Sequence, residues 1–510
     1  MTIKTIKTIK TLWLFILLLG LQPASAQSFD HLWLAGYNEF PGVAGYGHAV
    51  LRFQGDTVKA EPLALAFNFE STVAVMSDSA GQLLFYSNGC AVADRSHHIM
   101  PNGMGLNPGS LGDIVCERKG YIVPQGAMAL PLPGQPGRYA LLHLGAEYDP
   151  VRKLTLGPLY FSEIDMSLNG GLGDVTIKNE VLLSGDLGAF TAVRHGNGRD
   201  WWVLVPEFGG QMWHTFILSP AGFAAQPPQT LPATLPGCEK QGATAASPQG
   251  SRVATWGDCK LSVQRFDRCS GLLSGKIELA APTHWIPGGG LAFSPSGRYL
   301  YATSQNVLFR VDLESVATRL DTMRFSYDPF LKSKYDVPGN TFHYLQSGPD
   351  GKIYGNIPSR ADYLHVINRP DGLNRDSIAF VPRRVKLPVT SVRTLPNVPN
   401  FRLGDLHGSP CDTLGITPVQ EPLATAAFAV SVSPNPAHTE ATLRDHSPQS
   451  VAQERRWRLY TPAGQVLRSG TLPPGQAEQR LDLSTLPAGL YLWELLRSDG
   501  GRVGGRVVRK

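Results

Sequence analysis

Short apolar stretches separated by turns recur along most of the chain. In the clearest copy, Leu291–Phe293 and Tyr299–Ala302 are apolar and flank the turn sequence Ser294-Pro295-Ser296-Gly297. Proline presets φ at the second position of a β-turn, and glycine accepts the positive φ that lets the next strand leave. The pattern predicts a β-hairpin that continues into Val307–Asp312. Three or four such strands cannot bury both of their faces, so the unit needs copies of itself alongside.

The chain contains these copies. The same turn-plus-strand pattern recurs roughly every 50 residues, and its turn glycines are Gly81, Gly137, Gly198, Gly250, Gly297 and Gly351. Several short strands per repeat of this length are typical of propeller blades. We find no sustained 3.6-residue apolar stripe, which disfavours a helical solenoid. The prediction is an all-β protein with a seven-bladed β-propeller, and the alternative is a β-sandwich with coincidental turns.

Two details of the propeller follow from the ends of the repeat region. The seventh blade is inferred from Leu32–Ala35 and the divergent stretch Leu51–Phe69. A ring closes most stably when its first and last segments share a blade, so we expect His31–Tyr37 to pair near Leu395–Leu403.

Length and composition agree with this interpretation. A chain of 510 residues is too long for one ordinary core, which indicates two domains or a large closed repeat. With 54 glycines, 40 prolines and only 17% charged residues, the composition is that of a turn-rich all-β protein.

Residues 1–26 have the order of a secretory signal peptide. Three lysines come first, an apolar stretch from Leu12 to Leu21 follows, and Ala24 and Ala26 mark a small-residue cleavage site before Gln27. The apolar stretch is too short for a stable bilayer anchor. No cysteine follows the cleavage site, so we expect no lipid anchor there and a mature chain that begins at Gln27.

The net charge of +5 is unevenly distributed. Three lysines of the signal account for part of it, and the region from Ala424 onward holds eleven basic against seven acidic residues. The body between them is therefore slightly acidic and has no basic stripe. This charge distribution gives no case for nucleic acid, and we expect no nucleic-acid partner.

All six cysteines follow the signal peptide: Cys90, Cys116, Cys238, Cys259, Cys269 and Cys411. An oxidising compartment makes disulfides the expected state. The spacing from Cys90 to Cys116 and within the group Cys238/Cys259/Cys269 indicates local loop closures, although six cysteines allow fifteen pairings. Zinc is disfavoured because no CxxC pair occurs.

Several segments of the repeats carry a family resemblance. They are GQLLFYSNG (81–89) with MPNG (100–103), LYFSEIDM (159–166) with GGLGDV (170–175), HGNGRDWW (195–202), FDRCSGLL (266–273) and GPDGKIY (348–354). Over residues 30–405 the chain resembles the secreted propeller proteins common in Bacteroidetes. This resemblance implies a fold and an exported address, and it implies no particular activity.

A second domain follows the repeats. Residues 409–425 are rich in proline, glycine and threonine and are typical of a linker, so the propeller is expected over 27–408. Residues 426–510 contain short strands between turns, and Arg456–Tyr460 alternates polar and apolar side chains as a half-buried strand does. The prediction for this region is a small β-sandwich.

Four segments of this second domain carry a further resemblance: SPNP (433–436), LYTPAGQVL (459–467), LPAGLY (486–491) and RVVRK (506–510). The domain resembles the type A C-terminal sorting domain of the type IX secretion system. The resemblance implies a sorting signal at Pro434, Asn435, Pro436, Gly464, Gly489, Tyr491, Arg506, Arg509 and Lys510. It also implies the type IX machinery as a partner, removal of the domain, and release or attachment to surface lipopolysaccharide. The alternative is an adhesive or carbohydrate-binding module that stays on the protein.

Motifs for catalysis or cofactors do not occur in the sequence. There is no GxSxG elbow, HExxH pair, phosphate-binding GxxxxGK[ST] loop or EF-hand loop, so we predict no catalytic residue, cofactor or metal. Two polar clusters remain as candidates: Asp94, His97 and His98, and then His195, Arg199 and Asp200. The first suits metal or acid/base chemistry, and the second precedes an aromatic platform. For both, the alternative is a structural role in hydrogen bonds that tie turns and strands together.

The sequence thus predicts an exported protein of the cell surface or medium that binds or scaffolds an unknown protein or glycan ligand. The competing hypothesis is a polysaccharide hydrolase or lyase with its site at the channel mouth. Clustered acidic residues at that mouth would favour the enzyme, whereas a mixed polar or aromatic rim would favour binding.

Overall fold

The computed structural model describes residues 28–37, 45–117, 119–149, 154–232, 235, 241–257, 260–281, 289–304, 307–315, 318–323, 342–357, 360–393, 395–412, 430–445, 452–461, 466–497 and 502–510. The predicted signal peptide with Ala24, Ala26 and Gln27 lies outside these residues, as do Cys238, Cys259 and Gly464. The chain divides into two compact units, Met1–Ile416 and Thr417–Lys510.

Seven antiparallel sheets make up the described part of the first unit, and each is built from consecutive strands. Blade 1 has β1 (Leu32–Tyr37), β2 (Gly47–Gln54) and β3 (Thr57–Pro62). Blade 2 has β4 (Ala74–Ser77), β5 (Leu83–Ser87), β6 (Ala91–Asp94) and β7 (Ile99–Met104). Blade 3 has β8 (Ala127–Pro131), β9 (Arg138–Glu147), β10 (Thr155–Asp165) and β11 (Asp174–Leu183). Helix α1 (Ser110–Val115) lies between blades 2 and 3 along the chain.

Blades 4 to 7 follow the same plan. Blade 4 has β12 (Thr191–Arg194), β13 (Trp201–Pro206), β14 (Met212–Ser219), β15 (Gly222–Ala225) and β16 (Gln229–Thr230). Blade 5 has β17 (Gln241–Ala246), β18 (Arg252–Gly257), β19 (Lys260–Phe266) and β20 (Leu273–Ala280). Blade 6 has β21 (Leu291–Phe293), β22 (Tyr299–Ser304), β23 (Val307–Asp312) and β24 (Leu320–Met323). Blade 7 has β25 (Leu345–Ser347), β26 (Ile353–Gly355), β27 (Arg360–Ile367) and β28 (Phe380–Val392). The first unit is therefore a seven-bladed β-propeller, as predicted.

The predicted turns are present between the first and second strands of blades 2 to 7. All six turn glycines have positive φ, for example 73° at Gly297. In that turn the Gly297 N–H donates to the Ser294 carbonyl at 2.8 Å, and the Tyr299 N–H donates to the Ser294 hydroxyl at 3.2 Å. Glycine is needed here because a side chain at this φ is sterically costly.

The ring closes by side-chain packing between blades 1 and 7. The rings of Trp33 and Tyr354 lie 5.4 Å apart, edge to face, inside an apolar cluster drawn from both blades. The expected pairing of His31–Tyr37 near Leu395–Leu403 is wrong, because β1 pairs with β2 and residues 395–403 contain no strand. The backbone of that segment bonds elsewhere, since the Asn397 N–H donates to the Val73 carbonyl beside blade 2.

Four cysteines of the described part form two disulfides. Cys90 pairs with Cys116, the local closure that the spacing predicts. Cys269 pairs instead with Cys411, at a sequence separation of 142 residues, so its expected local partner is a wrong prediction. The reason is tertiary: the turn before β20 meets residues 404–412, where the Arg268 guanidinium donates to the Gly404 carbonyl and the Cys269 sulfur lies 3.4 Å from the Ser409 hydroxyl. The predicted linker from Ser409 therefore begins with residues that are fastened to the propeller.

The second unit is a two-sheet β-sandwich. One sheet joins β29 (Val430–Ser433), β30 (Glu440–Asp445) and β33 (Glu478–Asp482), and the other joins β32 (Val466–Leu472), β31 (Arg455–Tyr460), β34 (Gly489–Arg497) and β35 (Arg502–Arg509). Its core includes Leu443, Leu459, Trp493 and Val507. Strand β30 was not expected from the sequence, since its apolar positions are few.

Among the described residues, no helix combines the length and the apolar character needed to span a bilayer.

Candidate functional site

A cavity of about 230 Å³ lies where the first strands of blades 4 to 7 face one another. Its walls are Thr191–Val193, Thr244–Ala246, Leu291–Phe293 and Gln346–Ser347, together with residues 397–400, 402 and 403. We call residues 395–403 the channel segment. The cavity is thus the channel of the propeller, narrowed by a piece of the chain that follows the last blade.

The channel segment is held by hydrogen bonds to several blades. The side-chain amide of Asn397 donates to the Gln125 carbonyl at 3.1 Å, and that of Asn400 donates to the Pro248 carbonyl at 2.8 Å. Arg402 forms a bidentate pair with Asp30, with N···O distances of 2.6 and 2.8 Å. Such two-pronged pairs fix orientation as well as charge. The segment is therefore a built part of the channel wall.

Gln125 and Thr244 form the polar centre of the channel wall. Gln125 has φ of 51°, and its side-chain amide exchanges two 3.0 Å hydrogen bonds with the backbone of Thr244. Thr244 lines the cavity, but its hydroxyl oxygen is sealed from solvent and has no hydrogen-bond partner. A molecule in the cavity therefore does not reach this hydroxyl in the conformation described. The half-buried side chain of Gln346, whose amide donates to the Ser347 carbonyl at 3.3 Å, also lines the cavity.

The charge of the cavity wall is nearly neutral. Among the described residues that line it, Asp30 is the only carboxylate and Arg402 the only cation, and the two neutralise each other. The remaining polar groups are hydroxyls and amides. The rim is therefore of the mixed polar kind and lacks an acidic cluster.

The first predicted cluster lies in the turn between β6 and β7. The buried Asp94 carboxylate accepts from the backbone N–H of Ser96 at 2.7 Å and from its hydroxyl at 2.6 Å. His97 has φ of 65°, and its Nδ1 lies 3.3 Å from the Tyr86 hydroxyl. Burial lowers the pKa of His97, although the Asp94 carboxylate opposes this shift. His98 Nδ1 lies 3.1 Å from the Ser96 hydroxyl. All three predicted residues thus belong to one turn.

The same turn recurs in other blades. At the end of the third strand, an aspartate accepts from the N–H two residues later: Asp165 from Ser167 at 2.9 Å, Asp267 from Cys269 at 2.8 Å and Asp312 from Glu314 at 3.1 Å. Aspartates favour such turns because their short side chain reaches this N–H. The Asp94 turn is one copy of a structural repeat. Sequence reasoning missed it, although the recurring Asp was a readable signal.

The second predicted cluster lies in the turn between β12 and β13. His195 Nδ1 accepts from the Asn197 N–H at 3.0 Å, so its Nε2 carries the proton and donates to the Cys269 carbonyl at 3.2 Å. Arg199 and Asp200 form a bidentate pair at 2.7 and 3.0 Å. The turn therefore connects blade 4 to the blade 5 turn that carries the Cys269–Cys411 disulfide.

The two predicted clusters lie on different blades, 2 and 4, and the structure does not join them into one site. Neither cluster lines the channel cavity. A ligand-binding or catalytic role for either one stays a prediction.

One group of possible metal ligands was not singled out in the sequence. Donor atoms of Asp405, His407 and Asp412 all lie within 4.8 Å of one another. Two carboxylates and an imidazole suit a divalent metal. Asp405 and His407 are exposed, and exposed groups of this kind are common without an ion, so we assign the group no role.

In the second unit, residues of the predicted sorting signal meet at one end of the sandwich. The Asn435 side-chain carbonyl accepts from the Val508 N–H at 2.9 Å, and the Lys510 N–H donates to the Ala437 carbonyl at 2.8 Å. Arg509 lies opposite Gly489 in the β34–β35 ladder, and its guanidinium donates to the Ser484 carbonyl at 3.0 Å.

The remaining described members of the signal lie close to these in the chain. Pro434 and Pro436 flank Asn435, Arg506 is a residue of β35, and the Tyr491 hydroxyl donates to the Pro487 carbonyl at 2.6 Å.

No protein-family model matches the chain, and comparison with curated proteins gives no match. Among solved structures, a proposed 6-phosphogluconolactonase from Bacteroides fragilis aligns at 13% identity and TM-score 0.43, over 72% of this chain and 98% of that one. The periplasmic gluconolactonase of Pseudomonas aeruginosa aligns at 17% identity and TM-score 0.40, over 71% and 98%. The extracellular domain of a proposed one-component system from B. thetaiotaomicron aligns at 12% identity and TM-score 0.39, over 94% and 56%. At these values the likeness supports no argument about function, so the site is interpreted from its own geometry.

Proposed function

We propose that this protein is an exported binding protein whose propeller holds a small neutral ligand in the channel cavity. The observation that carries the proposal is a cavity of about 230 Å³ whose described lining combines apolar side chains with neutral polar ones such as Gln346. A ligand with hydroxyl or amide groups, such as a sugar residue of a glycan or a peptide unit, would match this lining. Few precisely placed polar groups in a mostly apolar pocket are the usual basis of specificity.

The charge of the channel supports binding over polysaccharide hydrolysis. Most glycoside hydrolases use two carboxyl groups on opposite sides of the scissile bond. Among the described residues of the cavity wall, the one carboxylate is Asp30, and it forms an ion pair with Arg402. This wall therefore lacks the second carboxyl group that such a mechanism needs.

Delivery is the second part of the proposal. The two disulfides fit an exported protein, since such bonds persist in oxidising compartments. We propose that the sandwich is read by the type IX secretion machinery, with the surface-bound product attached to lipopolysaccharide or released. The contact between Asn435 and the C-terminal strand supports this, because it gathers distant parts of the signal into one surface.

The channel site is tested by Gln346→Leu, which removes a polar side chain of the cavity wall at similar volume. Glycan and peptide arrays probed with the exported protein identify a ligand, and calorimetry then compares the variants. We expect affinity to fall about 5- to 30-fold, the equivalent of about 1 to 2 kcal/mol for one hydrogen bond.

A matched control is Gln249→Leu. The Gln249 amide donates to a backbone carbonyl as that of Gln346 does, but Gln249 does not line the cavity. We expect this variant to bind as the parent does. Equal binding by Gln346→Leu and the parent, or no ligand on either array, would contradict the channel site.

A further inference from the structure

A second cavity of about 600 Å³ lies on the other side of the channel segment's end. Its wall includes Phe29, Leu132, Arg194, Arg199, Phe401 and Arg402, and we call it the basic groove. Three arginines line it, whereas no acidic side chain does so among the described residues. The basic groove shares Arg402 and Leu403 with the channel cavity, whereas Arg194 and Arg199 line the groove and not the channel cavity.

Two of the three arginines are neutralised. Arg402 pairs with Asp30, and Arg199 pairs with Asp200, each through two hydrogen bonds. These guanidiniums add little net charge to the groove, because each faces a carboxylate at contact distance.

Arg194 has no such partner. Its guanidinium donates to the backbone carbonyls of Arg199 at 3.0 Å and Phe401 at 3.5 Å, and it lies 3.9 Å from the ring centre of Trp201. Its Nε has no hydrogen-bond partner but is sealed from solvent, so a ligand in the groove would meet the two Nη groups. Burial and the neighbouring Arg268 lower the pKa of Arg194 to about 10, although Asp200 opposes them. Arg194 is thus a half-buried cation at neutral pH, and each Nη group makes one of the two backbone hydrogen bonds and carries a second N–H.

The other walls of the basic groove are apolar. The rings of Phe29 and Phe401 lie 5.4 Å apart, and Pro131 and Pro133 continue the surface. Such walls suit the flat or apolar face of a ring. A single unneutralised guanidinium matches one carboxylate, which it can bind through two parallel N–H donors. A phosphate dianion would leave a second charge without a cation.

We infer that the basic groove binds a small organic acid with a carboxylate on a ring, such as a hexuronate, and that Arg194 holds the carboxylate. This site is separate from the channel cavity that we propose for a neutral ligand. Either site can therefore fail without the other, since Gln346→Leu tests the channel and Arg194→Gln tests the groove.

Calorimetry on the exported protein tests the inference, with galacturonate as the probe, galactose as its neutral match and inorganic phosphate as the competing anion. We expect galacturonate to bind and galactose not to bind. Binding should weaken at least 10-fold in Arg194→Gln and should also weaken as salt is raised. Galactose binding as well as galacturonate, no galacturonate binding, or tighter binding of phosphate would each overturn the assignment.

Arg298→Gln is the matched control. Like Arg194, Arg298 lies over an aromatic ring, that of Tyr299, but it is outside the groove. It should bind galacturonate within twofold of the parent.

A second variant keeps the test valid if Arg194→Gln does not fold. Gly404 lines the groove, and a side-chain carbon at this position would meet no atom within 4 Å. Gly404→Glu adds a competing carboxylate, whereas Gly404→Gln adds the same volume without charge. We expect the first to lose galacturonate binding at least 10-fold more than the second. Equal losses in the two variants would overturn the inference.

Discussion

The side-chain amide of Gln125 pairs with both the N–H and the carbonyl of Thr244, a residue 119 positions further along the chain. This pairing joins the entry of blade 3 to the first strand of blade 5, and both residues line the channel cavity. The carbonyl of Gln125 receives the channel segment through Asn397. One side chain thus links two blades and the channel wall.

Gln125→Ala should therefore destabilise the propeller. It leaves two buried backbone groups of Thr244 without their partner, at a cost of about 2 to 4 kcal/mol. Thermal unfolding would measure the loss. Gln249→Ala is the control, because its amide bonds only the Pro295 carbonyl on the exposed turn face. A melting curve of Gln125→Ala that matches the control would contradict this role.

His143 should make the protein sensitive to acid. Its ring is fully buried, donates from Nδ1 to the Asn107 side chain at 2.7 Å and accepts from the Ser162 hydroxyl at 2.9 Å. Burial lowers its pKa to about 3. The unfolded chain takes up a proton below its ordinary pKa of about 6.5, whereas the folded chain does not. The contribution of neutral His143 to the free energy of unfolding is therefore fully present above pH 6.5, and it is lost as the pH falls towards 3.

Urea unfolding at several pH values between 7 and 4 tests this expectation. His143→Gln should be less stable than the parent at pH 7, by about 1 to 3 kcal/mol. Below pH 6.5, however, the free energy of unfolding of the variant should fall less steeply than that of the parent. The difference between the two slopes should be about 1.4 kcal/mol per pH unit. Parallel slopes for His143→Gln and the parent would show that His143 does not contribute.

The two disulfides should differ in their contribution to stability. In a loop-closure model, the Cys269–Cys411 bond contributes about 4 to 5 kcal/mol and the shorter Cys90–Cys116 loop about 3 to 4 kcal/mol. Paired serine variants of each bond, compared by unfolding, give the order. Intact mass after alkylation without reductant should show at least four protected cysteines. Six free thiols in exported material would contradict the pairing.

Gly297→Val tests the turn that organises blade 6. At φ of 73° a β-branched residue is strained, and its side chain would also meet the Gln249 amide, so we expect a loss of about 1 to 3 kcal/mol. Gly404→Val is the control, because that glycine lacks a positive φ and has open space around it. An unchanged melting curve for Gly297→Val would contradict the strain argument.

Sorting should depend on the second unit, whereas folding of the propeller should not. A chain that ends at Thr417 keeps Cys411 and all seven sheets of the described first unit. We expect its far-UV circular dichroism to retain the propeller contribution, and we expect it to remain in the periplasm of a host with type IX secretion. Fractionation into periplasm, outer membrane and medium gives the answer. Surface delivery of this chain would favour the adhesive-module alternative.

The basic end of the chain needs a subtler test. Deleting Arg506–Lys510 should block transport, but it also removes the buried Val507 from the sandwich core. The double variant Arg509→Ala with Lys510→Ala removes charge and leaves that core in place. We expect periplasmic accumulation of the double variant, and normal delivery of Arg480→Ala, whose side chain is exposed elsewhere in the sandwich. Normal delivery of the double variant would contradict a role of these two charges in sorting. Any effect of the deletion on transport would then be due to misfolding of the sandwich.

Local features of this protein were readable from the sequence. The conformation of each blade turn depends on a glycine and its neighbours, so the copies that include Gly81 and Gly297 predicted the blades and their number. The Cys90–Cys116 bond was also predictable, because the two cysteines are only 26 positions apart in the chain. Period-two alternation also predicted the strand around Trp457, because each side chain's face depends only on its position in the strand.

The candidate sites depended on contacts that no local pattern contains. The Gln125–Thr244 pairing, the Cys269–Cys411 bond and the isolated charge of Arg194 arise only after the ring closes and brings distant turns together. The channel segment illustrates the difference, since its sequence allowed a strand beside β1. In the folded ring its polar groups find partners at Val73, Gln125 and Pro248, and buried backbone and amide groups must be paired. The hydrogen bonds available inside the closed ring, rather than strand propensity, therefore decided its path.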